Sequence, residues 1–182
     1  GTVRYDHRHQ WREGFDDLPR ISAERGGTPS QVSLAEIRQL AAGTTSIAGS
    51  GGRAGLVRNL DRDETELGTG SFDYETFPLG DADGERLSST CDYPDLPTPT
   101  TDTCFHAHVA EGVSQAAYNE FVCLSGPDGV DVTEPNAAFV HMIAADALAG
   151  ATLAANGTSH IWSPRSNIAL YGHTAPVTMF QQ

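Results

Sequence analysis

Three apolar runs in the second half of the chain each end at a polar or titratable cluster, and that repetition narrows the fold more than any other feature. Cys104 to Ala110 reads as a strand carrying His106 and His108, with Glu111 just beyond it. Ala137 to His141 (AAFVH) is a short buried-strand candidate that ends on a histidine. Thr158 to Trp162 is a third strand, running into Ser163-Pro164-Arg165-Ser166-Asn167. Helical patterns separate them. Ser114 to Leu124 places Ala117, Phe121 and Leu124 on one face, and alanine-rich Ala144 to Asn156 is stopped by Gly157. Strands alternating with helices predict a parallel sheet. In such folds the ligand site lies at the carboxyl ends of the strands.

The same grammar occurs once earlier, over residues 33–60. Ser33 and Glu36 have capping-box spacing. Leu34, Ile37, Leu40 and Ala41 share a face, and Gly43 is a stop signal. A β-leaning run, Thr44 to Ala48, leads into the glycine-rich turn Gly49 to Gly52. Residues 1–32 read as a loop-rich segment and 61–103 as a loop-rich insertion, in which Phe72 to Leu79 holds one strand. Residues 104–182 then hold three successive β/α units.

Charge limits the chemistry. The chain has 11 basic residues, all arginine, against 24 acidic ones, for a formal net charge of -13. That balance disfavours a nucleic-acid partner, which needs clustered positive charge. With no lysine, a Walker-type loop, a Schiff base and a carboxylated-lysine metal bridge are all excluded. No apolar run approaches the roughly 20 residues of a membrane span. Cys91 and Cys104 bracket a proline-rich loop. A disulfide between them would point to an oxidising compartment; three reduced thiols would fit the cytosol. No Cys-x-x-Cys spacing suggests a zinc ribbon.

On an extended strand His106 and His108 point the same way. Imidazole is a common ligand for zinc and iron, and Glu111 can move protons beside a metal-bound water. The plainer account is a pair of half-buried histidines and a glutamate favoured at a helix start. His141, one unit later at another strand end, adds to the first account. Proline and asparagine make Ser163 to Asn167 a tight turn. There Arg165 and Asn167 either bind substrate polar groups or merely fix the loop. Trp11, Tyr171 and His173 are further candidates to line a pocket.

The segments HVAEG (His108 to Gly112), FVH ending at His141, WSPRSN (Trp162 to Asn167) and LYGHTAPV (Leu170 to Val177) resemble, in order and spacing, the amidohydrolase superfamily. The nearest branch is the cytosine-deaminase-like and chlorohydrolase-like one. LAAGTTSIAGSGG, within residues 33–60, resembles that family's second barrel unit. The resemblance implies a portion of a (β/α)8 TIM-type barrel, with parallel strands alternating with helices and long irregular loops in the first half. It implies one divalent metal, zinc or iron, that activates water. His108 resembles the fifth-strand metal ligand, Glu111 the proton-shuttling acid, and His141 the sixth-strand histidine that polarises substrate or orients hydroxide. Arg165, Asn167 and His173 fall where substrate is bound. The family also needs a first-strand His-x-His pair and an aspartate after the eighth strand. His7 and His9 have the spacing of that pair, but no apolar strand leads into them. They are read as a loop near the pocket, with the metal pair as a lesser alternative and a solvated arginine- and histidine-rich face as the plainer account. Barrels of this type run to about 250 residues, so 182 residues are expected to be the middle of a longer chain.

The expected function is hydrolysis of a C–N bond other than a peptide bond, of deaminase or amidohydrolase type. The alternative is a truncated, non-catalytic barrel fragment that binds a small molecule. The expected substrate is a small nitrogen heterocycle or amide, with no nucleic acid and no membrane. Open sheet edges predict a homo-oligomer. The family default is the cytoplasm; a Cys91–Cys104 bridge would instead indicate the periplasm or secretion.

Overall fold

The structure is a computed structural model and describes residues 3–22, 26–48, 52–60, 71–99 and 103–180. The Gly49 to Gly51 part of the glycine-rich turn, and residues 61–70 and 100–102 of the loop-rich insertion, lie outside the described residues. The architecture is mixed α/β. Two two-residue strands, β1 (Ser46–Ile47) and β2 (Arg58–Asn59), pair in parallel. A larger parallel sheet has the order β3 (Ser71–Glu75), β4 (Thr103–Val109), β5 (Ala137–His141), β6 (Ser159–Ile161). Helices α3 (Gln115–Cys123) and α4 (Ala147–Asn156) link the last three strands. The alternation expected over 104–182 is therefore present.

Local chemistry sets the helix ends. Ser114 accepts the Ala117 N–H and Asp146 the Ala149 N–H, which caps α3 and α4. Gly157 closes α4 in a left-handed conformation. In β4, Phe105, Ala107 and Val109 are buried and alternate with half-buried Cys104, His106 and His108. The buried set joins Phe121, Leu124, Phe139 and Leu153 in the core between sheet and helices. His106 and His108 do share a face, as the two-residue period requires. His106 packs edge-on against Phe72, 4.5 Å between centroids.

Four expectations are corrected. The residue-33 helix starts earlier, as α2 (Pro29–Ala41), capped by Thr28 with Gln31 completing the capping box. Pro29 is preorganised for the first helical position. Ser33 instead donates to the Pro29 carbonyl inside the helix. Second, α2 turns Glu36 inward, where its carboxylate accepts the Arg53 and Val57 N–H groups at 2.7 and 3.2 Å. The Leu34, Ile37 and Leu40 face is consequently exposed. Third, Ser163 to Asn167 is not a tight turn. Pro164 at the first position opens helix α5 (Pro164–Tyr171), and α6 (Val177–Phe180) follows. Fourth, the disulfide joins Cys91 to Cys123, with Cα atoms 5.4 Å apart, and Cys104 is free. Cys104 is held in β4, whereas Cys123 ends α3 beside the loop that carries Cys91.

The first 32 residues also hold a helix, α1 (Arg8–Glu13). His7 is its N-cap: its ring accepts the His9 N–H while Gln10 reaches back to the His7 N–H. This segment lies across the carboxyl ends of β4 and β5. His7 bridges to Gly112, and the Asp6 carbonyl accepts the Val113 and Ser114 N–H groups. The approach needs a glycine, because a Cβ at position 112 would meet the Asp6 oxygen at 2.3 Å.

Candidate functional site

Two polar clusters meet at the carboxyl end of the sheet, and Arg8 belongs to both. The first is an open cleft of about 220 Å³ lined by residues that include Arg8, Trp11, Phe77, His108, Glu111 and His141. The structure thus gathers His108, Glu111 and His141 from two adjacent strand ends. The backbone there is unusual. Ala110 has φ +53°, His141 +76° and Met142 +48°. Non-glycine residues rarely adopt these values, and such outliers concentrate at functional sites. They tip Glu111 and His141 out of the strand alternation and towards each other, with His141 Nε2 3.5 Å from Glu111 Oε2.

Each cleft side chain is anchored from behind. His108 Nδ1–H donates to the Glu75 carbonyl at 3.2 Å. Burial pushes the His108 pKa down, with the nearby His141 and Arg8 adding to the effect. A neutral ring with its proton on Nδ1 keeps a lone pair on Nε2. His141 Nδ1–H donates to Asn167 Oδ1 at 2.8 Å, and their rings' neighbourhood is tight: His108 and His141 centroids are 5.2 Å apart. Glu111 Oε1 accepts the Tyr171 hydroxyl at 2.9 Å, and that hydroxyl accepts Trp11 Nε1–H at 2.8 Å. Burial, and then the Glu111 charge, raise the Tyr171 pKa, so the phenol stays a donor.

The second cluster is sealed. His7, Arg8, His9, Asp81 and Glu120 are all at most 1% exposed. Arg8 ion-pairs with Asp81, and its Nη2 lies 3.1 Å from Glu120 Oε1. Burial works against the Arg8 charge, but Glu120, Asp81 and Glu111 outweigh it and raise its pKa. Burial likewise opposes the Asp81 charge, yet the His9 hydrogen bond and Arg8 bring its pKa down to about 2. The ligand atoms of His7, His9 and Glu120 all lie within 4.8 Å of one another, close enough to hold a metal ion. Among the described residues, His108, Glu111 and His141 do not form so close a group.

Hydrogen-bond direction separates these two sets. Arg12 Nη1 donates to His9 Nδ1 at 2.7 Å, so the His9 proton sits on Nε2 and is donated to Asp81 Oδ2 at 2.7 Å. His7 Nδ1 accepts the His9 backbone N–H, which leaves its proton on Nε2, 3.3 Å from Glu120 Oε1. A metal-ligating histidine does the reverse: it donates its other N–H to a carbonyl or carboxylate and keeps a lone pair for the ion. His108 and His141 have that arrangement; His7 and His9 do not. The plainer account of His7 and His9 as a solvated face is overturned, since the N-cap role and Gly112 draw them inside.

The remaining sequence candidates divide. Asn167 is buried and works behind His141. Arg165 and His173 are exposed and do not line the cleft. Residues two apart on a helix point to nearly opposite sides, so α5 turns Arg165 outward as it turns Asn167 inward. Trp11 lines the cleft and Tyr171 stands behind Glu111. Sequence reading missed Arg8, Asp81 and Glu120. The only local signal was a charged residue between two histidines in a capping segment. Comparison with protein-family models, characterised proteins and solved structures finds no match to this chain.

Proposed function

We propose that this chain carries the catalytic face of a metal-dependent hydrolase that cleaves a C–N bond other than a peptide bond. The observation that carries this reading is the shared anchoring of His108 and His141. Both rings donate Nδ1–H to an oxygen behind them and keep Nε2 for the cleft side. The donor set fits one divalent ion, zinc or iron, held by His108 and His141. When bound, such a metal lowers the pKa of water towards about 7 and supplies hydroxide near neutral pH. Glu111 is placed to move a proton at Oε2, because Tyr171 fixes its Oε1. Asn167 and Glu75 set the ring orientations. A cleft of about 220 Å³ is small beside the usual ligand pockets of roughly 300–1,000 Å³. It suits a small nitrogen heterocycle or amide.

Within this reading β3 to β6 are consecutive strands of an amidohydrolase-type (β/α)8 barrel. The all-parallel order and the cleft at the strand carboxyl ends support that assignment. The exposed edges of such a sheet favour self-association. The Cys91–Cys123 disulfide favours an oxidising compartment, and among the described residues no helix is long and apolar enough to cross a membrane. A second reading, a non-catalytic fragment that binds a small molecule, is favoured by one observation. His108, Glu111 and His141 do not close to a three-ligand group. Zinc titration of the purified protein decides between them. One tightly held zinc that His108→Ala abolishes supports the hydrolase; no zinc, or zinc unaffected by His108→Ala, leaves the fragment.

A further inference from the structure

We propose that Arg8 is a positioning residue that holds the turn after β4 in the conformation that presents His108 and Glu111 to the cleft. The role of those two side chains rests on the function proposed above; the hold on the turn rests on geometry alone. Arg8 grips the turn at both ends. Its Nη1 donates to the His108 carbonyl at 3.1 Å, and its backbone N–H donates to the Glu111 carbonyl at 3.0 Å. Between those points Ala110 sits at φ +53°. Its N–H is taken by Glu120 Oε2 at 2.9 Å, while Glu120 Oε1 is on Arg8.

The same guanidinium fixes the opposite wall. Nη1 also donates to the Thr76 carbonyl at 2.8 Å, and Nη2 pairs with Asp81. Thr76 follows β3, beside the Glu75 carbonyl that anchors His108. One residue therefore holds the whole turn: its backbone N–H sets the carbonyl of Glu111, and its side chain sets the carbonyl of His108 and the strand end that orients the His108 ring. Only a forked donor can reach these acceptors together. A lysine ammonium offers the charge without the fork.

The test compares wild type with Arg8→Lys and Glu120→Gln by amide hydrogen exchange. In the variants, exchange at Ala110 and Gly112 should rise by roughly tenfold or more, while amides in β5 and α4 change far less. Zinc affinity, read by competition with a chromogenic chelator, should fall by about 10–100-fold at unchanged stoichiometry. Wild-type exchange at Ala110 and Gly112, or an even acceleration along the whole chain, overturns the proposal. So does undiminished zinc affinity in the variants of a protein that binds zinc. Where Arg8→Lys does not fold, Glu120→Gln decides by the same readings. A wild type that holds no zinc, or a His108→Ala variant that binds it normally, removes the hydrolase reading. The exchange data still decide the role of Arg8.

Discussion

His7 and His9 lie nearer to carboxylates than His141 does: 3.3 Å from Glu120 and 2.7 Å from Asp81, against 3.5 Å from Glu111. By distance the sealed cluster is the better cation site, and by hydrogen-bond direction it is the worse one. His9 donates its N–H to Asp81, the His7 proton sits on the Nε2 beside Glu120, and the Arg8 guanidinium already occupies the middle as the cation. The cleft histidines spend their N–H groups on Glu75 and Asn167 and keep lone pairs. Proximity of donor atoms is thus not a ligand set until the protons are placed. Under the two proposals above, the difference also separates two tasks: one region holds the turn, and the other presents the cleft side chains.

The sharpest way to break this comparison is to empty the sealed cluster of its cation. Arg8→Met leaves Asp81 and Glu120 buried and uncompensated. Removing one partner of a buried ion pair costs about 3–5 kcal/mol, and urea unfolding of the variant should show a loss of that size. A variant as stable as wild type would mean that the two carboxylates do not depend on Arg8. The disulfide comes next. It ties the loop that follows Asp81 to the helix that carries Glu120, across a sequence separation of 32 residues. A chain-entropy estimate for a loop of that length is about 3–4 kcal/mol. The double variant Cys91→Ser, Cys123→Ser should lose that much, and the loss should come mainly from the sealed side.

The third prediction addresses the cleft directly. His108→Ala should weaken zinc binding by roughly a hundredfold or more, whereas His7→Ala should leave it within a few-fold. His7→Ala should instead cost about 1 kcal/mol of stability as a lost helix cap. Reversed effects in the chelator assay would place the metal in the sealed cluster. A fourth, smaller effect concerns orientation. Asn167→Ala removes the acceptor behind His141 and should lower zinc affinity by about tenfold, at the low end of outer-shell effects.

The sequence made the scaffold and the cleft legible in very different degrees from the sealed cluster. The β4, β5 and β6 runs were readable because their apolar residues alternate or cluster over a helix-sized spacing. His108, Glu111 and His141 were readable because each sits where such a run stops. Arg8, Asp81 and Glu120 carry no such mark. They are charged residues of the kind normally left in water, Arg8 lying 73 positions before Asp81 and Glu120 farther on still, and only the fold brings them together. Ser33 misled because Ser-x-x-Glu is a valid capping box; Thr28 with Pro29 is a stronger one. Pro164 was read as a turn former when the residues after it, Ile168 to Tyr171, continue a helix. The Cys91–Cys123 pairing needed α3 to be placed against the loop, which spacing alone cannot do.

The smallest effect tests whether His9 is held neutral, as the hydrogen bond from Arg12 to its Nδ1 requires. Burial lowers the His9 pKa below its ordinary 6.5, and the charge of Arg8 acts the same way. In the unfolded chain His9 titrates normally. Below pH 6.5 the unfolded state therefore takes up a proton that the folded state refuses, and stability falls with falling pH. Above that value both forms are neutral and His9 contributes no slope. In metal-free protein, stability measured by urea unfolding should decline from pH 7 to pH 5. His9→Gln should decline less steeply over the same range. Part of the slope must persist, because burial also lowers the pKa of His106, His108 and His160. Asp81 acts in a separate window. Its pKa drops from 3.8 to about 2 on folding, so its contribution is complete above pH 3.8 and disappears as pH approaches 2. An unchanged slope in His9→Gln between pH 7 and 5 would mean that His9 is charged in the folded state. Its ring would then donate from both nitrogens, which the Arg12 contact at Nδ1 forbids.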